Sequence, residues 1–79
     1  MGPPTRKMDG AEITLTLWDK DPDLYGDAVA LNHHTFTYLP ARSQTEVVHK
    51  AMAQAEAVFP NYVANGHCVK WWIAQVYKS

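Results

Sequence analysis

The chain has 79 residues, of which 47% are hydrophobic, and its formal net charge is −1 at neutral pH. A chain of this length forms one domain and buries only about 60% of its unfolded surface, so its core is small. The near-zero charge excludes a strong electrostatic attraction to nucleic acid or to an anionic membrane.

Residues 1–10 contain two prolines and little to bury. They predict a flexible N-terminal arm, followed by a single domain over residues 11–79. The arm lacks the apolar segment of a secretory signal, and no apolar run approaches the roughly 20 residues of a membrane span. Cys68 is the only cysteine, which excludes an intramolecular disulfide and is typical of a reducing compartment. We therefore expect a cytoplasmic protein.

The next two segments read as β-strands. Residues 12–18 alternate between apolar and polar side chains, which predicts a half-buried strand whose inner face carries Ile13, Leu15 and Leu17. Turn-forming residues fill positions 19–26 and end this strand. A second extended stretch, rich in threonine and aromatic residues, covers residues 27–39 and ends at Pro40.

One amphipathic helix is predicted over residues 43–59. Ser43 and Glu46 have the spacing of a capping box at its start, and Glu46 and Lys50 form a favourable pair four residues apart. Pro60 ends the helix. Its apolar face carries Val48, Ala51, Met52, Ala55, Val58 and Phe59.

The C-terminal segment predicts a β-hairpin. Residues 62–64 and 67–77 flank Asn65-Gly66, a dipeptide that favours tight turns between strands. The predicted fold is therefore α+β, a small antiparallel sheet of about four strands with one α-helix packed on one face, in the order ββαββ.

Two adjacent tryptophans indicate that this sheet has an open face. Trp71 and Trp72 are neighbours in the last predicted strand, so they point to opposite faces. A single helix covers only one face of the sheet. We predict that Val69, Trp71 and Ile73 lie in the core, while Lys70 and Trp72 lie on the uncovered face.

The acidic turn after the first strand resembles the start of a calcium loop without its later ligands. Asp19, Asp21 and Asp23 match the first three ligand positions. Leu24 then replaces the required glycine, and Ala30 replaces the final glutamate. An acidic surface turn is the better interpretation.

The histidines and the cysteine do not have the spacing of a zinc site or a catalytic pair. His33 and His34 are adjacent, as are His67 and Cys68, and neighbouring strand residues point to opposite faces. Nothing in the sequence around Cys68 is typical of an activated thiol. We predict no metal, no cofactor and no enzymatic activity.

Protein binding is the function that the open aromatic face favours, because tryptophan and tyrosine dominate binding hot spots. The alternatives are an adaptor that adds a strand to a partner's sheet, a homodimer, and single-stranded nucleic acid stacked on the aromatic face. Nucleic acid is disfavoured because the last strand has few cations. The predicted partner-binding residues are Trp18, Asp21, Asp23, Tyr25, Lys70, Trp72 and Tyr77.

Four elements of the C-terminal half carry a family resemblance: Lys50-Ala51-Met52, Pro60-Asn61-Tyr62-Val63, Gly66 in a turn, and Lys70 in the next strand. This pattern resembles the small phage anti-CRISPR proteins that act on type I, and in particular I-F-like, CRISPR-Cas complexes. The resemblance implies a non-enzymatic inhibitor in the host bacterial cytoplasm. Such an inhibitor occludes a surveillance complex and blocks either capture of target DNA or recruitment of the nuclease. The near-neutral charge favours contact with a protein surface over DNA mimicry.

Overall fold

The computed structural model describes residues 8–79, which form a three-stranded antiparallel sheet with helical segments on one face. The strands are β1 (Met8–Trp18), β2 (Ala30–Pro40) and β3 (Cys68–Lys78), and their order in the sheet is β2-β1-β3. Because β1 is antiparallel to both neighbours, β2 and β3 run in the same direction. The α+β class is confirmed. No helix within residues 8–79 has the length and apolar character needed to cross a membrane.

The prediction of a fourth strand is wrong. The chain forms two strands, then the helical segments, then one further strand. Residues 62–64 lie in consecutive turns closed by backbone bonds, including His67 N–H to Tyr62 O at 2.9 Å. The backbone enters the left-handed region at Asn61 (φ 64°) and at Gly66 (φ 74°), which bends the chain at both ends of this segment. Asn65-Gly66 therefore leads into β3 and does not join two strands.

The central strand supplies most of the core. Ile13 and Leu15 are fully buried, and the helical segments bury Val47, Ala51 and Ala55 against the same side of the sheet. These three helical residues are four apart, so they form one line along the helix surface. Val47, which the sequence pattern missed, is one of the three largest fully buried side chains in the described chain.

The predicted single helix is two consecutive segments, α1 (Gln44–Ala53) and α2 (Ala55–Val58). The Ser43 hydroxyl accepts the N–H of Glu46 at 3.2 Å, so the predicted N-cap is confirmed. The Glu46 carboxylate lies 3.2 Å from Lys50 Nζ, as the spacing of four predicted. Helical structure ends at Val58, two residues before Pro60.

Two further boundaries differ from the prediction. β1 begins at Met8, so Met8, Asp9 and Gly10 belong to the strand and not to a flexible arm; the rest of the predicted arm, residues 1–7, lies outside the described residues. β2 begins at Ala30 and not at Asp27, because the connection between β1 and β2 is held in turns as far as Val29.

Trp71 is not a core residue, although it lies on the predicted face. It is directly opposite Leu15, whose side chain is buried on the helix side of the sheet. The helix α1 packs on β1 and β2, so Trp71 on β3 lies beside the helix and is 49% exposed. On the same side Val69 is buried, and Ile73 is half-buried.

Candidate protein-binding face

The candidate site is the sheet face that points away from α1, which we call the open face. Trp72 lies opposite Thr14 of β1 and is 68% exposed, so it projects from this face. Lys70 lies opposite Thr16, two residues from Trp72 along β3, and therefore on the same face. On the same face the Thr14 and Thr35 hydroxyls are hydrogen-bonded at 2.8 Å, which links β1 to β2. The open face is therefore a largely polar surface with a large exposed aromatic side chain midway along its edge strand β3.

An ionic cluster holds the connection between β1 and β2 against β3. Lys70 Nζ lies 2.8 Å from Asp23 Oδ2 and 3.2 Å from Asp21 Oδ1. β3 flanks β1 on the side opposite β2, so the acidic turn reaches Lys70 by passing across the open face at the end of β1. The sequence therefore predicted three members of one cluster, Asp21, Asp23 and Lys70, without predicting that they contact one another.

The acidic turn is built by hydrogen bonds of its own backbone. The Asp21 side chain accepts the N–H of Asp23 at 2.9 Å, and the Asp21 carbonyl accepts the N–H of Tyr25 at 2.9 Å. Asp19 has a different role, because its carboxylate accepts the N–H of Val29 at 2.7 Å and closes the base of the connection. The carboxylates that resembled a calcium loop are thus used within the turn and its ion pairs.

The charges of this cluster are mutually stabilised. The Asp23 N–H and the Lys70 ammonium lower the pKa of the Asp21 carboxyl, although partial burial opposes them. The carboxylates of Asp23 and Asp21 in turn raise the pKa of Lys70. Lys70 is therefore a charged cation matched by two carboxylates, so the three groups together carry a net charge of −1.

Trp18 lies on the open face but is not an exposed contact residue. It is opposite Cys68 on one side and Ala30 on the other, and it is half-buried. Its indole Nε1 is shielded from solvent and has no acceptor within residues 8–79. Trp18 therefore lies at the end of the open face where the acidic turn leaves β1.

A tyrosine pair occupies the opposite end of the open face. The rings of Tyr38 and Tyr77 are 5.4 Å apart, and Tyr77 OH donates to the Thr37 carbonyl at 3.2 Å. The Tyr38 ring lies over Gly10 of the central strand, because a Cβ atom there would be 2.9 Å from Tyr38 Cζ, and Tyr77 is paired opposite Gly10. The sequence singled out Tyr77 but missed Tyr38, which is 52% exposed. A bulge in β2 opposite Glu12 sets the position of Tyr38, and no local sequence signal marks that bulge.

Tyr25, the remaining predicted residue, lies in the connection and not on the sheet. Its ring is 52% exposed and lies 5.5 Å from Lys20 Nζ, which also pairs with Asp27 at 2.9 Å. The neighbouring Leu24 is 74% exposed. The structure therefore groups Asp21, Asp23 and Lys70 at the end of the open face where Trp18 lies. Trp72 follows Lys70 along the same face of β3, and Tyr77 lies about 15 Å beyond Trp72.

The remaining reactive groups of this face are its cysteine and its potential metal ligands. Burial, reinforced by Asp21, raises the pKa of the Cys68 thiol, which lowers its thiolate fraction at neutral pH. Within residues 8–79 no three His, Cys, Asp or Glu side chains are grouped so that they could hold a metal ion. Comparisons with protein families, with curated proteins and with solved structures found no match to this chain.

Proposed function

We propose that this protein is a non-enzymatic protein-binding domain that contacts its partner through the open face. The observation that carries the proposal is Trp72, a tryptophan 68% exposed on the open face and midway along the edge strand β3. Around it lie threonine side chains and the ion-paired Lys70 cluster. A large aromatic anchor with a polar surround has the anatomy of a binding hot spot.

The partner class is a type I CRISPR-Cas surveillance complex, and the specific activity is its inhibition. This part of the proposal depends on the resemblance of the C-terminal half to small phage anti-CRISPR proteins. Among the residues that carry the resemblance, Lys70 lies on the open face, whereas Ala51 is buried under the helix and Gly66 shapes a turn. The resemblance therefore supports the partner class, and the open face supplies the contact residues.

The pairing of Lys70 with two carboxylates favours a protein partner over nucleic acid. Single-stranded nucleic acid needs free cations that follow its phosphates, together with aromatic stacking. Lys70 is already held by two carboxylates, so it contributes little attraction to phosphate. The same pairing makes Asp21 and Asp23 poor mimics of DNA phosphates.

The test is a calorimetric titration of the protein into purified type I-F and other type I surveillance complexes. One complex should bind, and Trp72→Ala should weaken that affinity by about 30-fold or more. Trp71→Ala is the matched control, because it removes the same side chain one residue away on the other face of the sheet. The affinity of a single open face should stay within about threefold of the parent chain in this variant.

Two results would overturn the proposal. If none of the type I complexes binds the folded protein, the assignment to this inhibitor class is wrong. If a complex binds and Trp72→Ala retains full affinity while Trp71→Ala loses it, the interface is on the helix side of the sheet. Circular dichroism of each variant must first establish that the fold is intact.

A further inference from the structure

The outer edges of the sheet differ in how their backbone groups are used. In β2, the N–H of His33 donates to the side chain of Asn32 at 2.8 Å. β2 also carries two bulges relative to β1. These are devices that blunt an edge strand against further pairing. Within residues 8–79, no side chain bonds to the backbone of β3, and β3 pairs only with β1.

Two exposed tryptophans flank the open edge of β3. Trp71 is 49% exposed on the helix side, and Trp72 is 68% exposed on the open face, so both flank the same edge. A groove of about 280 Å³ lies between α1 and Trp71, with Val48 and His49 along its helix wall. An added strand would therefore gain hydrogen bonds from β3 and apolar contacts on both of its faces.

We infer that the strand that pairs with β3 is β3 of a second copy of this chain, related by a two-fold axis. In an antiparallel pair, directly opposed residues share a face of the sheet. A two-fold axis that relates two β3 strands must therefore pass between two copies of the same residue. Pairing about Trp71 opposes Trp71 with itself, Val69 with Ile73, and Lys70 with Trp72. Each of these pairs joins residues of the same face and places no charge opposite its like.

Neighbouring registers are less favourable. Pairing about Lys70 would oppose two ammonium groups. Pairing about Trp72 would bring Ala74 into the ladder, and Ala74 is the extra residue of the bulge in β3. Pairing about Trp71 uses only Val69 to Ile73, which lie in the regular part of the strand. The charge pattern and the bulge therefore select the same register.

The apolar centre of the pair is Trp71. A tryptophan buries about 150–250 Å² when it is covered, so the half-exposed Trp71 in two copies offers about 200 Å². That is about an eighth of a standard interface of about 1,600 Å². The strand backbone and the helix flanks supply further area, because the two α1 helices lie on the same side of the joined six-stranded sheet.

The primary test is the mass of the protein in solution over a dilution series, by analytical ultracentrifugation. The parent chain should sediment as two chains of 8.9 kDa and dissociate on dilution. Trp71→Lys places two ammonium groups at the two-fold axis and should raise the dimer dissociation constant by about 30-fold or more. Leu31→Lys is the matched control, since Leu31 is also 49% exposed but lies on the β2 edge. It should leave the constant unchanged.

A cross-link tests the register independently of stability. In a Cys68→Ser background, Trp71→Cys should form an intermolecular disulfide on mild oxidation, because the register opposes position 71 with itself. Leu31→Cys in the same background should remain largely reduced. A parent chain that is monomeric at every concentration, or a cross-link at position 31 and not at position 71, would overturn the inference.

This inference is independent of the proposed function. The dimer is centred on Trp71 and the groove beside α1, whereas the proposed partner contacts the open face; Trp72 lies at the border of the two surfaces. A monomer that binds a surveillance complex refutes only the dimer, and a dimer that binds none refutes only the partner.

Discussion

Gly10 is the position where adding one methyl group has the most closely defined consequence. A Cβ atom at Gly10 would lie 2.8 Å from the Leu39 carbonyl oxygen, and 2.9 and 3.0 Å from two atoms of the Tyr38 ring. The first contact is with the backbone of β2, which cannot turn away as a side chain can. Gly10→Ala therefore forces β1 and β2 apart at the end of the sheet that the tyrosine pair covers.

The expected cost follows from two opposing effects. Overpacking by one methyl group in a closely packed site costs about 1–3 kcal/mol. Replacing glycine by alanine also stabilises the fold by about 0.4–1 kcal/mol, because it reduces the conformational entropy of the unfolded chain. Gly10→Ala should therefore lower the free energy of unfolding by about 1–2 kcal/mol, which is a fall of about 4–16 °C in Tm for a domain of this size.

The chain offers matched controls for the same substitution. Gly26→Ala meets no atom within 4 Å and should be neutral or stabilising by up to about 1 kcal/mol. Gly66 has φ +74°, so Gly66→Ala should cost about 1 kcal/mol through backbone strain with no steric contact. Urea denaturation of the three variants, followed by circular dichroism, measures these differences directly.

A second substitution separates the two contacts at Gly10. Tyr38→Ala removes the ring contacts but leaves the Leu39 carbonyl in place, so it should rescue Gly10→Ala only in part. If Gly10→Ala and Gly26→Ala have the same free energy of unfolding, β1 and β2 accommodate the methyl group despite the 2.8 Å distance. That result would refute the reasoning.

Four further predictions concern stability, each measured by denaturation. Ser43→Ala should cost about 1 kcal/mol, because the Ser43 hydroxyl caps α1 at Glu46 N–H. Leu15→Ala should cost about 2–5 kcal/mol, because Leu15 is fully buried in the central strand. The stabilisation from Asp21, whose pKa is lowered in the fold, should be present above its ordinary pKa of about 4 and be lost as the pH falls through the lower folded pKa. The contribution of Lys70, whose pKa is raised, should persist up to about pH 10 and be lost only as the pH rises further.

Each of these predictions has a control. Ser43→Asp should retain the stability of the parent chain, since aspartate is also a good N-cap. Leu31→Ala, at a half-exposed site in β2, should cost far less than Leu15→Ala. The stability difference between the parent and Lys70→Met should be flat between about pH 5 and pH 9 and shrink below about pH 4. A difference that grows on acidification would contradict the ion-pair account.

Much of the fold was predictable because it depends on local patterns. The alternation of residues 12–18 identified the central strand, and the Ser43 cap with the spacing of Ala51 and Ala55 identified the helix and its buried face. Adjacent Trp71 and Trp72 had to face opposite sides of the sheet, and the pairing with β1 confirms this.

The errors arose where non-local structure overrides local preference. Residues 62–64 have strand-forming side chains, but left-handed backbone at Asn61 and Gly66 closes them into turns. Trp71 was predicted as core because it shares a face with Val69, yet the position of α1 over β1 and β2 leaves it half-exposed. The sequence does not encode the lateral placement of a helix on a sheet as a local pattern.

The candidate site was predicted as a set of residue types and not as an arrangement. Exposed aromatic and charged character selected Lys70, Asp21 and Asp23, but their contact depends on a connection that crosses the central strand. Tyr38 was missed because a bulge in β2 determines its position. Long-range contacts across 47 residues, such as Lys70 with Asp23, cannot be obtained from periodicity.

The two proposals have a joint consequence for the strength of partner binding. Two-fold pairing through β3 places both open faces on one side of a six-stranded sheet, opposite the two α1 helices. A partner that repeats its surface at a matching spacing would then meet two copies of Trp72 on one rigid body. The second contact would be intramolecular, with an effective concentration that can raise the overall affinity by about 10²–10⁴-fold without new contacts. Trp71→Lys should therefore leave the affinity of a single open face unchanged while reducing binding to such a repeated surface, a combination that a direct role of Trp71 in the partner interface would not produce.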